Sequence, residues 1–543
     1  MLAAVVFYSI LFLAIVVAPA GLILVALLLV DHRHQVWRFL TRVSGAIGSV
    51  LIGVPVFERV RSRFPRMATF LNRRFDSRHA WGLPATVAGI GVLLGVWLLL
   101  GLLLDIAMRD PIVILDIRLH NIVALFRTPE MTWLMMALTQ LGSAAVLGTL
   151  CFGIALLALS SNRSRLAATF LLAAVASGLS SLLLKWLIGH ARPIDALIHA
   201  DTTSFPSGHL LGATVIYGLL ASIVLQSRAR RALKVAGTTC LLLLIVGVGI
   251  SRLYLGVHWP SDLLGSLAIA LVLLPAILFL LRFDLPLRKL DNFRLPVAAG
   301  TGRGAGIAVI LIALGLVAIL APRTEQLSID PPPPERPIDL AGIEEVFSGL
   351  GRFSENLVGG KMEPISLVLI GTERDLLRTL AEAGWTRADA PTPLRVFEEI
   401  LAVVGDRPDP SAPATPAFFA DWPQTITFER SDASHPDISH RHHTRVWQTP
   451  YCLRPDCRPV WVATASFDVG IEISPRVHLP THRIDPAIDR ERELIVNELA
   501  TAGARHVGAL TVTPAMRGSN AAGDPFWTDG RAAIIVMPGE QSQ

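Results

Sequence analysis

The sequence predicts an all-α polytopic membrane helix bundle followed by a soluble α+β domain. Three observations predict it. The chain has 543 residues, too many for one ordinary core. It is 52% hydrophobic, yet nearly all the long apolar runs fall before residue 322. The arginines sit in short clusters between those runs, the pattern that orients membrane helices. The formal charge of +5 therefore does not indicate nucleic acid, whose binders gather basic residues on one folded face.

Residues 2–30 carry no charge before Asp31, enough chain to span a bilayer, which takes ~20 residues. Ala18-Pro19-Ala20 is a weak cleavage-like site. However, no Lys or Arg precedes the run, and it is too long for a signal-peptide core, so it reads as a retained anchor. Residues 31–82 hold ten arginines, among them Arg59, Arg61, Arg63 and Arg66. Within them the short apolar piece 43–57, with Pro55, reads as interfacial. Six spans follow, at about 83–107, 132–159, 166–188, 209–226, 233–250 and 261–281, and a seventh at about 305–321. The outer connection 108–130 has an apolar centre with helical spacing and reads as lying along the interface.

The basic loops orient these spans. Arg163 and Arg165 follow the second, Arg228, Arg230, Arg231 and Lys234 the fourth, and Arg282, Arg288, Lys289 and Arg294 the sixth. Those loops belong in the cytoplasm, so the loops after the third and fifth spans face the opposite side. The last span leads outward, which places the residues after Pro322 outside the cytoplasm. Pro331 to Pro334 favour extended polyproline II, a semi-rigid spacer. The expected domains are an anchor and basic segment (1–82), a helical membrane core (83–282), a connector with the last span and linker (283–337), and a soluble domain (338–543).

In the soluble part, Ile365–Ile370 reads as a buried strand. Thr372 to Asp375 resembles a capping signal for a helix that stops at Gly384. Gln424–Glu429, Arg441–Gln448, Val460–Phe467, Val507–Thr513 and Ala532–Met537 read as strands. Asp485-Pro486 reads as the cap of a second helix running to about Thr501.

The chemistry concentrates at the ends of the third, fourth and fifth apolar segments. Lys185 and Arg192 are seven apart and would share a face if the helix continued, although Gly189 and Pro193 mark its end. An Arg fork can donate two parallel hydrogen bonds to a phosphate. Pro206-Ser207-Gly208-His209 opens the fourth span. There Ser207 can cap the helix and Gly208 lets backbone N–H groups approach an anion. His258 and Asp262 are four apart, close enough for a carboxylate–imidazole hydrogen bond that fixes the tautomer. Arg252 adds a third cation. Taken singly these are a snorkelling pair, a capped helix start and a His–Asp cap. Together they make a phosphate-ester site at a membrane boundary, where ionisable groups are costly.

The spacing Lys-x6-Arg-Pro, Pro-Ser-Gly-His, then Ser-Arg-x5-His-x3-Asp resembles the type 2 phosphatidic acid phosphatase (PAP2) superfamily, over roughly residues 83–282. The resemblance implies a PAP2-like six-helix core and a lipid phosphatase; in a bacterial inner membrane the orientation read from the basic loops puts its site on the periplasmic side. It implies that His258 attacks phosphorus to form a phosphohistidine and that Asp262 orients His258. His209 would protonate the leaving alkoxide and then activate water. Lys185, Arg192, Arg252, Ser207 and the Gly208 backbone would bind the phosphoryl oxygens. The implied substrate is a lipid phosphate monoester or diphosphate, of the phosphatidic acid or polyprenyl diphosphate class; a lipid phosphotransferase would share the first step. No carboxylate cluster for a divalent metal accompanies these residues, so neither metal nor cofactor is expected. One departure is His190, where relatives often carry another basic residue.

Ile370-Gly-Thr, Ala383-Gly-Trp385, Pro459 to Asp468 and His482-Arg-Ile-Asp485 resemble the LssY C-terminal domain, over about 340–540. That resemblance implies no established chemistry. An alternative role for the chain is a membrane-anchored scaffold whose soluble domain meets an envelope partner. His440, His442 and His443 lack a companion metal-ligand pattern. Cys452 and Cys457 lack the paired spacing of a zinc ribbon and read as a local disulfide outside the cytoplasm. Cys151 and Cys240, in apolar segments, read as inert.

Overall fold

The computed structural model describes residues 63–74, 81–108, 111–283, 299–320, 336–389, 416–431, 440–473 and 480–539. The expected anchor at 2–30, the interfacial piece at 43–57 and the four-proline run lie outside these residues. The chain divides into two compact units, one built on most of the apolar helices and one on residues 330–543, which also takes in Ile117–Ile122 of the helical region.

The first unit is helical: α1 (Pro65–Arg74), α2 (Leu83–Met108), α3 (Pro111–Ala124), α4 (Pro129–Gln140), α5 (Ala144–Leu159), α6 (Ser164–Ile188), α7 (Gly208–Gln226), α8 (Arg231–Tyr254), α9 (Pro260–Phe283) and α10 (Ala299–Leu320). Among the described residues five helices are long and apolar enough to cross a membrane, or six if α4 and α5 count as one bent span. This is an integral membrane protein.

The expected span 132–159 is not one straight helix. It breaks at Leu141-Gly142-Ser143, bent by 41°. Ser143 caps α5, its hydroxyl accepting from Val146 N at 3.3 Å. The break seats Gly142 against α7, where a Cβ would stand 2.9 Å from the His209 carbonyl and 2.6 Å from Val248. Any other residue would push this corner off the start of α7.

Glycines also set the helix spacing, as small residues do where lipid supplies no hydrophobic drive between helices. A Cβ at Gly95 of α2 would lie 2.7 Å from the Ala268 carbonyl of α9. Gly153 of α5 and Gly306 of α10 bring those two backbones together in the same way, with a Cβ on either falling 3.0–3.1 Å from the other's carbonyl. The α7 helix is the most enclosed span. Its Leu211, Ala213, Val215, Ile216 and Leu219 are buried with Phe170 of α6 and Val248 of α8. The helix that opens with Gly208-His209 is thus the axis of the bundle.

The second unit is α+β. A nine-stranded sheet runs, in order, Arg505–Thr511, Arg531–Val536, Leu367–Ile370, Arg458–Ile473, Arg441–Leu453, Ile426–Ser431 and Thr386–Arg387, with Arg336–Ile338 and Pro480–Ile484 paired alongside. Leu367–Ile370 pairs parallel with Arg531–Val536 and antiparallel with Arg458–Ile473. Helices Glu373–Glu382 and Ile488–Thr501 cover one face, burying Leu376, Leu380, Ile495 and Leu499 on Trp461 and Phe428. Ile343, Val346 and Phe347 pack on the other, against Trp447, Val460 and Val462.

Two strands are longer than their apolar cores suggest, because Arg441–Leu453 and Arg458–Ile473 form one extended hairpin. Cys452 and Cys457 are joined by a disulfide at its closed end. Thr372 caps the first helix in a full capping box with Asp375. Asp485 does not cap the second: Ala487 holds the cap position, and the Asp485 carboxylate accepts from Ala487 N at 2.7 Å just before the helix starts.

Candidate active site

Four helix ends meet at one place. The α6 helix stops at Ile188, and Gly189 closes it in the left-handed conformation, at φ 63°. The helix therefore does not continue, and Arg192 is delivered by the loop instead of sharing a helical face with Lys185. Both cations grip the segment leading to the Pro-Ser-Gly-His turn. Lys185 Nζ donates to the carbonyls of Thr203 and Ser204, the latter at 3.0 Å. Arg192 Nε donates to the Thr202 carbonyl at 2.6 Å, and its Nη1 to the Val257 carbonyl, one residue before His258. Arg192 thereby ties the first motif to the other two.

Ser207 stands at the N-cap of α7, but its hydroxyl makes no capping bond. It is fully buried, and its oxygen has no partner. Its backbone is held from α9, where Ser266 Oγ lies 3.0 Å from the Ser207 carbonyl. Phe205 is wholly buried against Gly265, where a Cβ would lie 2.3 Å from its ring. Gly208 lies close to α6, with room beside it for no more than the Ser181 hydroxyl, 2.9 Å from a Cβ there. His209 follows on the first turn of α7.

The third motif joins α8 to α9. Arg252, in the last turn of α8, is buried, and its Nη1 donates to Thr139 Oγ1 of α4 at 2.8 Å while its Nε has no partner. His258 and Asp262 are both buried, and His258 Nδ1 lies 3.1 Å from Asp262 Oδ2. The Trp259 backbone N–H donates to the same oxygen at 2.9 Å. Burial pushes the His258 imidazole down to about 3, against the Asp262 hydrogen bond, which raises it. That direction favours the neutral ring a nitrogen nucleophile needs, and Nε2 is the nitrogen left for an incoming group.

Sequence reasoning missed three contacts. Thr139 holds Arg252 from 113 residues away. Asp116 of α3 accepts from Ser261 N at 2.8 Å and from Ser261 Oγ at 2.5 Å, capping α9 beside Asp262. Burial raises the Asp116 carboxyl to about 6, with the Ser261 bonds opposing. His190 lies with Nδ1 3.3 Å from Asp262 Oδ1. No local periodicity marks these contacts; only the fold brings them together.

Among the described residues none of Lys185, Arg192 and Arg252 forms a salt bridge, and Asp262, the carboxylate among them, is engaged by His258 and His190. Residues 166–284, which include every motif residue, match the model of the PAP2 superfamily, and residues 347–532 match that of the LssY C-terminus. The chain carries a PAP2 domain and an LssY C-terminal domain. The chain is 36% identical over 124 residues to phosphatidylglycerophosphatase B of Bacillus subtilis 168, covering 21% of this chain and 55% of that protein. It is 34% identical over 102 residues to YbjG of Escherichia coli K12, provisionally named an undecaprenyl-diphosphatase, covering 17% of this chain and 47% of that protein. The chain thus spans about half the length of these curated relatives. The crystal structure of a transmembrane PAP2 type phosphatidylglycerolphosphate phosphatase from Bacillus subtilis aligns at 27% identity over 37% of this chain and 99% of that one, with a TM-score of 0.32.

In the LssY domain His442 is bonded to Glu491 at 2.9 Å and His443 lies 3.5 Å from Asp468. Among the described residues no three His, Cys, Asp or Glu side chains are grouped to hold a metal ion.

Proposed function

We propose that the PAP2 domain is a metal-independent lipid phosphatase that removes a phosphate monoester or diphosphate group through a phosphohistidine on His258. One observation carries this reading. Two buried donors, Ser207 Oγ and Arg252 Nε, have no partner, and they belong to the two motifs that also supply His209 and His258. Leaving such groups unpaired costs ~1–3 kcal/mol each, and more when charged. A bound phosphoryl group would satisfy both. The N-terminus of α7 adds free N–H groups and a dipole of the right sign. Two relatives are named for a phosphatidylglycerophosphate and an undecaprenyl diphosphate, which supports a lipid substrate.

The proposed reaction has two steps. His258 Nε2 attacks phosphorus, the bond from phosphorus to the ester oxygen breaks, and His209 gives that oxygen a proton. Asp262, on Nδ1, steadies the positive charge the ring acquires. Lys185, Arg192 and Arg252 face the charge spread over the phosphoryl oxygens, the main requirement of phosphoryl transfer. In the second step His209 takes a proton from water, whose oxygen attacks phosphorus as the bond to nitrogen breaks. The basic loops support a site on the outer, periplasmic side of the inner membrane.

Full-length protein in detergent and chelator is expected to release phosphate from phosphatidic acid or a polyprenyl diphosphate. His258→Ala should reduce release to background, and release at the native rate by this variant would refute the assignment. Transfer of the phosphate to an added lipid alcohol, in preference to water, would mark a phosphotransferase.

A further inference from the structure

We propose that His190 is a positioning residue of this site, holding the Asp262 carboxylate by Oδ1 so that Oδ2 stays on His258. The inference rests on the phosphatase reading above. Asp262 is wholly buried, and its two oxygens serve different rings. Oδ2 takes His258 Nδ1 at 3.1 Å and Trp259 N at 2.9 Å. Oδ1 faces His190 Nδ1 at 3.3 Å, with the Ser204 hydroxyl also 3.3 Å away. The terminal torsion of an aspartate is broad and roughly two-fold. Partners on one oxygen leave the other free to swing; partners on both confine the plane.

The tautomer of His190 follows from its neighbours. Ser204 Oγ lies 3.0 and 3.1 Å from the Ala191 and His190 carbonyls, which can take its one proton. Its oxygen then accepts from His190 Nδ1, 3.1 Å away. Were Nδ1 unprotonated, its lone pair would face those of Asp262 Oδ1. The arrangement selects the Nδ1–H form, a donor to both oxygens. The ring is itself fixed: Gly189 turns the chain at φ 63°, and Ser204 N donates to the His190 carbonyl at 2.8 Å. His190 therefore couples the Lys185–Arg192 loop and the segment before Ser207 to the carboxylate behind the nucleophile, 72 residues away. It acts on the reaction only through Asp262.

The test compares three variants of the full-length protein in detergent, with phosphatidic acid as the probe and kcat and KM measured separately. His190→Asn keeps a donor near the position of Nδ1, His190→Gln keeps one near Nε2, and His190→Ala keeps neither. The Ala variant should lose about a hundredfold in kcat, the scale of a small misplacement of reacting groups. KM should change little, since His190 does not hold the phosphate. The Asn variant should be about tenfold faster than Ala, and Gln no faster than Ala. A native kcat in His190→Ala, equal rates for Asn and Gln, or a raised KM at native kcat would each overturn the inference. If the Ala variant misfolds, the contrast between the two amides still decides. A dead His258→Ala beside a native-like His190→Ala overturns only the role of His190. An active His258→Ala overturns the phosphatase reading itself.

Discussion

The membrane site and the LssY sheet both bury arginines, and they treat them in opposite ways. In the sheet, Arg441 donates to Glu429 at 2.8 Å and to Asp468 at 3.3 Å, and both carboxylates are buried with it. Arg492 likewise binds Asp529, at 2.7 and 3.1 Å. In the membrane unit Arg252 has one hydroxyl, Thr139, and an Nε with nothing to bond. Lys185 and Arg192 are satisfied by backbone carbonyls, which carry no neutralising charge. A buried charge must be paired or pay heavily in desolvation. Where the pairs close, the cations are structural. On the function proposed above, where cations converge without matching carboxylates, the missing negative charge is the substrate's to bring.

This contrast can be broken by exchanging each arginine for methionine, which keeps much of the length and removes the charge. Arg441→Met strands two buried carboxylates and should destabilise the LssY domain by about 3–5 kcal/mol. Denaturant unfolding of the full chain, followed by tryptophan fluorescence, measures it. Phosphate release per folded molecule should remain. Arg252→Met should do the reverse. Losing one preorganised donor to the phosphoryl oxygens should lower kcat/KM by about 10²–10³-fold, or about 2.7–4 kcal/mol. The unfolding midpoint should be no lower than native, since no partner charge is left behind. If Arg252→Met unfolds the bundle and Arg441→Met does not disturb the sheet, the distinction between the two regions fails.

Much of this was legible in the sequence, and what was not has a common cause. Six spans could be read because crossing a bilayer needs a long apolar run, α4 and α5 counting as one bent span; at the expected seventh the described apolar helix is the shorter Gly300–Leu316. The three motifs could be read because each sits at a helix end, and the four-residue spacing of His258 and Asp262 does bring them together, whereas the seven-residue spacing of Lys185 and Arg192 does not put them on one helical face, since α6 ends at Gly189. The break at Gly142 could not. Its flanks are apolar on both sides, and the reason for glycine lies in α7, at the His209 carbonyl. Nor could the Asp116–Ser261 and His190–Asp262 contacts, whose partners are 145 and 72 residues apart. Strands of two to four residues, such as Phe418–Phe419 and Phe353–Glu355, are too short to show alternation. Ser before Gly at a helix start can cap it, but the Ser207 hydroxyl makes no capping bond. That its oxygen is unspent became visible only in three dimensions.

The smallest expected effect sharpens the structural side of the comparison. Burial by itself would raise the Asp529 carboxyl, but the Arg492 hydrogen bonds and the Arg531 backbone N–H outweigh it and hold the group below its ordinary 3.8. A carboxyl depressed in the folded state stabilises the fold at pH values above its unfolded pKa, and that contribution is lost as pH falls through the folded value. The Asp529 side chain is 44% exposed, so solvent screens the pair and the contribution is modest. Asp529→Asn should therefore unfold slightly earlier than the native chain at pH 7, with the gap closing as the pH is taken below about 4, the unfolded range for Asp. High salt should narrow the gap at pH 7 as well. A gap that held constant from pH 7 to pH 3 would mean that Arg492 is fixed by packing and by Asp489 alone, and that its pairing with Asp529 does not neutralise it.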